Sequence, residues 1–152
     1  MPLDAILFDK DGTLIDFQKS WGPAARIAFA RLARGDGAAL ARLAAAVAFN
    51  LESARFAPTS PFVGGSSDSY GPLCAQALGR ADVEAVKREM DVALGEAVRT
   101  TLTPIGDPAG VCDALRGRGL RLGVATNDAE RPARDQVAIL GLSDRFGFVA
   151  GY

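Results

Sequence analysis

Histidine is absent from the 152 residues. That excludes Ser-His-Asp and Cys-His nucleophilic schemes and histidine-ligated metals. Cysteine occurs twice, at Cys74 and Cys112, far apart and inside helical patterns. Buried free thiols are therefore expected rather than a disulfide or a zinc site. No apolar run approaches the ~20 residues of a membrane span. No basic segment precedes the first apolar stretch, so no signal peptide is expected and the reading is cytoplasmic. Nor is there an excess of one charge: 17 basic residues face 18 acidic ones, a net charge of −1, with the arginines scattered. Nucleic acid and anionic membranes are poor partners for such a surface. Chemistry must rest on carboxylates, hydroxyls, amides, lysine or a hard cation.

Hydrophobic residues make up 49% of the chain and charged ones 23%, enough for one core or for a core with an inserted subdomain. Leu3 to Phe8 is nearly continuous apolar sequence, which predicts a strand buried on both faces of a parallel sheet. Phe17 to about Val98 is helical in character. One helix is expected over Trp21–Arg34, with Ser20 as its cap and Pro23 in its first turn. Leu40, Leu43, Ala44, Val47 and Leu51 share one helix face. Phe56 to Gly71, rich in Pro, Gly and Ser, reads as a loop. A helix resumes at Leu73, and Asp82 caps another through Val98. This predicts four helices and no strand. Beyond them, Asp107-Pro108 starts a helix whose Val111, Cys112 and Leu115 face inward. Leu120–Ala125 and Phe146–Ala150 are strands, with a helix between them that ends at Gly141. Strand and helix alternate outside the insertion, so an α/β fold is expected: a Rossmann-like parallel sheet over residues 1–16 and 100–152. Residues 17–99 form an inserted helical cap.

The stretch Ile6-Leu7-Phe8-Asp9-Lys10-Asp11-Gly12-Thr13-Leu14 carries the chemistry. Asp9 and Asp11 fall at the carboxyl end of the first strand, where open α/β sheets bind ligands. A carboxylate there can attack phosphorus and form an aspartyl-phosphate. A hard cation is needed between two anions, and Mg²⁺ takes few carboxylates, several waters and the phosphate itself. Asp9 and the backbone carbonyl of Asp11 are the candidate ligands. The Asp11 side chain can protonate the leaving oxygen and later activate water. Gly12 permits a sharp turn that brings amides near the phosphate. The plain alternative is a capped turn with a chance Asp-Gly. At the end of the second strand, the Thr126 hydroxyl and the Asn127 amide can hold a phosphoryl group, or Thr126 can simply cap the next helix. Asp128 and Arg131 read as the start of that helix.

Asp9-x-Asp11-Gly12-Thr13-Leu14 after an apolar run resembles the first motif of the haloacid dehalogenase-like hydrolases. Thr126-Asn127 after Gly119–Ala125 resembles the second motif of their phosphoglycolate-phosphatase-like branch. The resemblance implies a Mg²⁺-dependent phosphatase acting on a small phosphate monoester, under a helical cap that excludes water and reads the substrate. In these terms Asp9 is the nucleophile and Asp11 the general acid/base. Thr126, Asn127 and Gly12 bind phosphate. A phosphosugar mutase shares the same acids. A dehalogenase is disfavoured, because chemistry at carbon needs neither Mg²⁺ nor a proton-donating Asp11. Lys10 adds a partial likeness to the phosphorylation motif of P-type ATPases, which has threonine where Asp11 stands. The family's third motif, a lysine, and its fourth, an acidic loop, belong after a strand such as Phe146–Ala150. The three lysines, Lys10, Lys19 and Lys87, lie elsewhere. Lys10 should point away from its two acidic neighbours. The chain alone is therefore expected to be catalytically impaired, or a non-catalytic phosphate-binding module. Its first strand is expected to be an exposed edge that a further C-terminal segment or a second chain covers.

Overall fold

The computed structural model describes residues 3–151. In chain order the elements are β1 (Ala5–Phe8), α1 (Phe17–Ala33), α2 (Gly37–Ala46), β2 (Phe49–Asn50), β3 (Arg55–Phe56), α3 (Ser67–Ala77), α4 (Val83–Thr101), α5 (Pro108–Arg116), β4 (Arg121–Ala125), α6 (Glu130–Ile139) and β5 (Phe148–Ala150). A 3₁₀ turn, Ser143–Arg145, precedes β5. The chain divides into two compact units, Met1–Phe17 with Leu102–Tyr152, and Gln18–Thr101.

The first unit is α/β. Its sheet is parallel, in the order β1-β4-β5. Ile6, Phe8, Leu122, Val124 and Val149 share one face through the register and join Leu14, Ile15, Cys112, Ala133, Val137, Leu142 and Phe146 in the core. The opposite face is a correction to the expectation of burial on both sides. There Leu7, Gly123 and Phe148 stand in register, and Leu7 and Phe148 are 58% and 51% exposed. Gly123 makes room for the Phe148 ring, because a Cβ would meet its carbons at 2.6 Å. A groove of about 670 Å³ runs over this face. β1 and β5 are the two edges of this sheet among the described residues, and the edge position of β1 is the one expected from the family resemblance. Asp107 accepts from the Gly110 amide at 2.9 Å with Pro108 beside it, the expected start of α5. Val111 is half exposed rather than inward-facing.

The second unit is helical but contains a small antiparallel hairpin, β2–β3, that the periodicity does not reveal. Asn50 Oδ1 accepts from the Ser53 amide at 2.8 Å, Ala54 adopts a left-handed φ of 51°, and the Phe49 and Phe56 rings meet at 4.8 Å. Two residues per strand are too few for alternation to show. α2 therefore stops at Ala46, and Leu51 is not on its face. α1 begins at Phe17, so Ser20 lies buried within the helix rather than capping it. Pro23 is an interior residue and cannot donate to the Lys19 carbonyl. α3 begins at Ser67, inside the expected loop. Asp82 does accept from the Ala85 amide at 2.8 Å ahead of α4. Phe29, fully buried, sits edge-on to Phe49, Phe56 and Phe62, with Phe62 stacked on Tyr70.

Candidate active site

Phe8 of β1 pairs with Val124 of β4, so Asp9 and Thr126 leave the sheet at the same carboxyl end, from adjacent strands. Asp9 is exposed. The turn after it is tight. The Lys10 carbonyl accepts from the amides of Leu14 at 2.9 Å and Ile15 at 3.1 Å, and Gly12 takes a φ of +85°. Leu14 and Ile15 are buried and anchor the turn to the core. The Gly12 amide donates to the Ile15 carbonyl at 2.8 Å. Gly12 thus permits the sharp turn, and its own N–H is committed within it.

On the neighbouring strand, the Thr126 amide donates to the Ala150 carbonyl at 3.1 Å, and the Thr126 hydroxyl oxygen accepts from the Asp128 amide at 3.2 Å. Asn127 is exposed. The loop packs on Gly151, where a Cβ would lie 2.3 Å from the Asp128 carbonyl oxygen and 2.6 Å from the Glu130 nitrogen. Only a glycine allows that approach. α6 begins without a side-chain cap, so Asp128 does not serve the helix start as expected.

Asp128 serves Lys10 instead. The Lys10 side chain is completely buried, and its ammonium donates to Asp11 Oδ2 and, at 2.7 Å, to Gln136 Oε1. Asp128 Oδ2 stands 2.8 Å from the same nitrogen. It lies outside hydrogen-bond geometry, so this contact is one of charge. Sequence reasoning sent Lys10 away from both acids; the structure turns the Asp11 carboxylate onto it. A buried lysine is rare enough that no local pattern announces it. One signal was present: Gln136 shares a helical face with the buried Ala133 and Val137, and a polar group on an apolar face needs a partner.

Among the described residues, no cluster of three or more Asp, Glu, His or Cys side chains is placed to hold a metal. The donors at the strand end are hard oxygens: the exposed Asp9 carboxylate and the Asp11 backbone carbonyl. Such a set fits Mg²⁺, which keeps several waters and binds through one or two carboxylates.

A family model described as haloacid dehalogenase-like hydrolase matches residues 3–152. Comparison with curated proteins gives no match. Among solved structures, one from Thermotoga maritima, described as a β-phosphoglucomutase, is 18% identical with a TM-score of 0.67, over 98% of this chain and 61% of that one. Another, described as a phosphoglycolate phosphatase from Haemophilus somnus 129pt, is 16% identical with a TM-score of 0.65, over 98% and 62%. The Bacillus subtilis HAD-hydrolase YfnB, described as bound to magnesium, is 18% identical with a TM-score of 0.62, over 99% and 66%. The chain thus spans about three fifths of the length of the first two structures. At these identities the likeness is one of fold. The family match over residues 3–152, together with an Asp-x-Asp-Gly-Thr turn at the carboxyl end of a parallel strand, places the chain in the haloacid dehalogenase-like hydrolases.

Proposed function

We propose that this chain carries the nucleophilic part of a phosphatase that hydrolyses a small phosphate monoester, of the phosphoglycolate type, through an aspartyl-phosphate on Asp9. The observation that carries the reading is the exposed Asp9 carboxylate at the end of β1, beside the Thr126 loop at the end of β4. An Asp9 oxygen attacks phosphorus while the bond to the ester oxygen breaks, and Asp11 gives that oxygen a proton. Asp11 then takes a proton from water as the water oxygen attacks phosphorus, and the Asp9 carboxylate is released. The Thr126 hydroxyl and the Asn127 side chain hold the phosphoryl oxygens, and Gly12 sets the turn. Asp9 and the Asp11 carbonyl would hold a Mg²⁺ ion, which when bound would offset the repulsion between carboxylate and phosphate.

The test is a screen of phosphate esters on full-length protein, with and without Mg²⁺, beside Asp9→Asn. Phosphate release that needs Mg²⁺ and is lost in the variant is expected. Parental rates for Asp9→Asn would sink the mechanism. A mutase reading is favoured by one observation, the fold shared with the Thermotoga maritima protein described as a β-phosphoglucomutase. Supplying a hexose 1-phosphate separates the two: a phosphatase releases inorganic phosphate, and a mutase yields the hexose 6-phosphate.

A further inference from the structure

We propose that Lys10 is a positioning residue for Asp11, and that it ties the loop bearing the nucleophile to the loop bearing the phosphate-binding hydroxyl. The inference rests on the phosphatase reading above. A buried ammonium is costly unless its charge is paired and its protons are bonded. Lysine has three N–H donors and no acceptor. Here two oxygens accept from it, Asp11 Oδ2 of its own turn and Gln136 Oε1 of α6, and Asp128 Oδ2 of the loop after β4 adds its charge at 2.8 Å. The lysine side chain is 0% exposed, against 18% for Asp11 and 33% for Asp128, so the clamp closes from the protein side of the site.

Each partner is itself held. Gln136 is 3% exposed and sits between the buried Ala133 and Val137 of α6. The Asp128 amide donates to the Thr126 hydroxyl oxygen. Fixing Asp11 Oδ2 fixes the plane of the whole carboxylate, and hence the direction in which it delivers a proton. Without the ammonium, the Asp11 and Asp128 carboxylates, now on either side of one cation, repel each other. Asp11 then swings from its place and the two loops lose their tie.

A residue that serves only folding would weaken turnover of every substrate alike. One that aims the proton carrier matters most where the leaving group needs a proton. The experiment compares kcat/KM for 4-nitrophenyl phosphate, whose leaving group departs unprotonated, with an alkyl ester such as glycerol 1-phosphate. It uses full-length protein, Lys10→Met, Asp11→Asn and the double variant. Lys10→Met is expected to lose at least about tenfold more on the alkyl than on the aryl ester, the pattern of a weakened general acid. In the Asp11→Asn background it should add little, because both changes act through one group. Equal losses on the two esters, or additive losses in the double variant, would overturn the assignment. If Lys10→Met does not fold, Gln136→Met removes one acceptor and keeps the ion pairs; the same asymmetry at smaller size is expected, and its absence is equally fatal. The two levels separate cleanly. Activity that survives Asp9→Asn, or no ester hydrolysis at all, defeats the phosphatase reading and this assignment with it. An active enzyme killed by Asp9→Asn, yet indifferent to the leaving group in the Lys10 and Gln136 variants, defeats this assignment alone.

Discussion

The Lys10 ammonium holds the Asp11 carboxylate, and the proposed reaction would draw on its proton. In the proposed mechanism the role of Asp11 is separable from that of Asp9, because the two acids would serve different bonds. Asp11→Asn preserves shape and the hydrogen-bond acceptor but cannot take up a proton. It is expected to lower kcat for an alkyl phosphate by about 10²–10⁴-fold, the usual range for a general acid or base. Rapid-quench measurement should show that the aryl ester suffers less in the first chemical step. The residues of this turn were legible in the sequence because their chemistry is local: two carboxylates two positions apart, then a glycine able to take φ of +85°. Lys10 was not legible. Its partners Asp128 and Gln136 come from the far end of the chain, and no spacing rule brings them to residue 10.

At the scale of elements, helix starts were legible where a side chain caps them and not elsewhere: α1 begins at Phe17 rather than Trp21, and α3 at Ser67 rather than Leu73. Asp107 and Asp82 cap as expected because a cap is a bond between residues three apart. Asp107→Ala should cost about 1 kcal/mol, measured as a shift in the urea midpoint. Asp36, unremarked in the sequence, caps α2 by accepting from Ala38 and Ala39, and these two amides hold its carboxyl below the ordinary aspartate range. The hairpin β2–β3 was missed because what makes it is an aromatic cluster rather than a pattern. Phe49 and Phe56 close on Phe29, and Gly22 lets α1 touch the Ala54 carbonyl, where a Cβ would stand 1.9 Å away. Phe29→Ala should therefore cost about 3–5 kcal/mol, by loss of transfer energy and by the cavity left behind.

For the molecule as a whole, each unit has its own stabilising contacts and its own pH response. In the helical unit the Arg80 guanidinium, 2.6 Å from Glu89, holds that carboxyl below the usual glutamate range; burial opposes the shift and Arg34 adds to it. A depressed carboxylate contributes stability above its unfolded pKa, about 4.3 for glutamate, and loses it as pH falls through the lower folded value. The helical signal in circular dichroism should accordingly begin to fall below about pH 4, and Glu89→Gln should flatten that fall while lowering the melting temperature near neutrality. In the α/β unit, Arg145 joins the 3₁₀ turn to Asp113 of α5 and holds the Asp113 carboxyl low in the same way. Burial raises both thiols, Cys74 to about 12, in keeping with their reading as inert core groups. No helix among the described residues is long and apolar enough to cross a membrane.

By itself the sequence determined the α/β order, the parallel sheet, the helical character of the middle segment and the Asp-x-Asp-Gly turn after β1. All of these follow from interactions within a few residues or from the polarity of whole segments. Tertiary structure decided what depends on distant partners. It set the order β1-β4-β5, which leaves Leu7 and Phe148 on an open face. It made Gly151 obligatory against the Asp128–Glu130 backbone. It also buried Lys10 among Asp11, Asp128 and Gln136. A buried charge is tolerated only where its neighbours supply the missing solvation, and in this chain they arrive from the second strand loop and the helix after it.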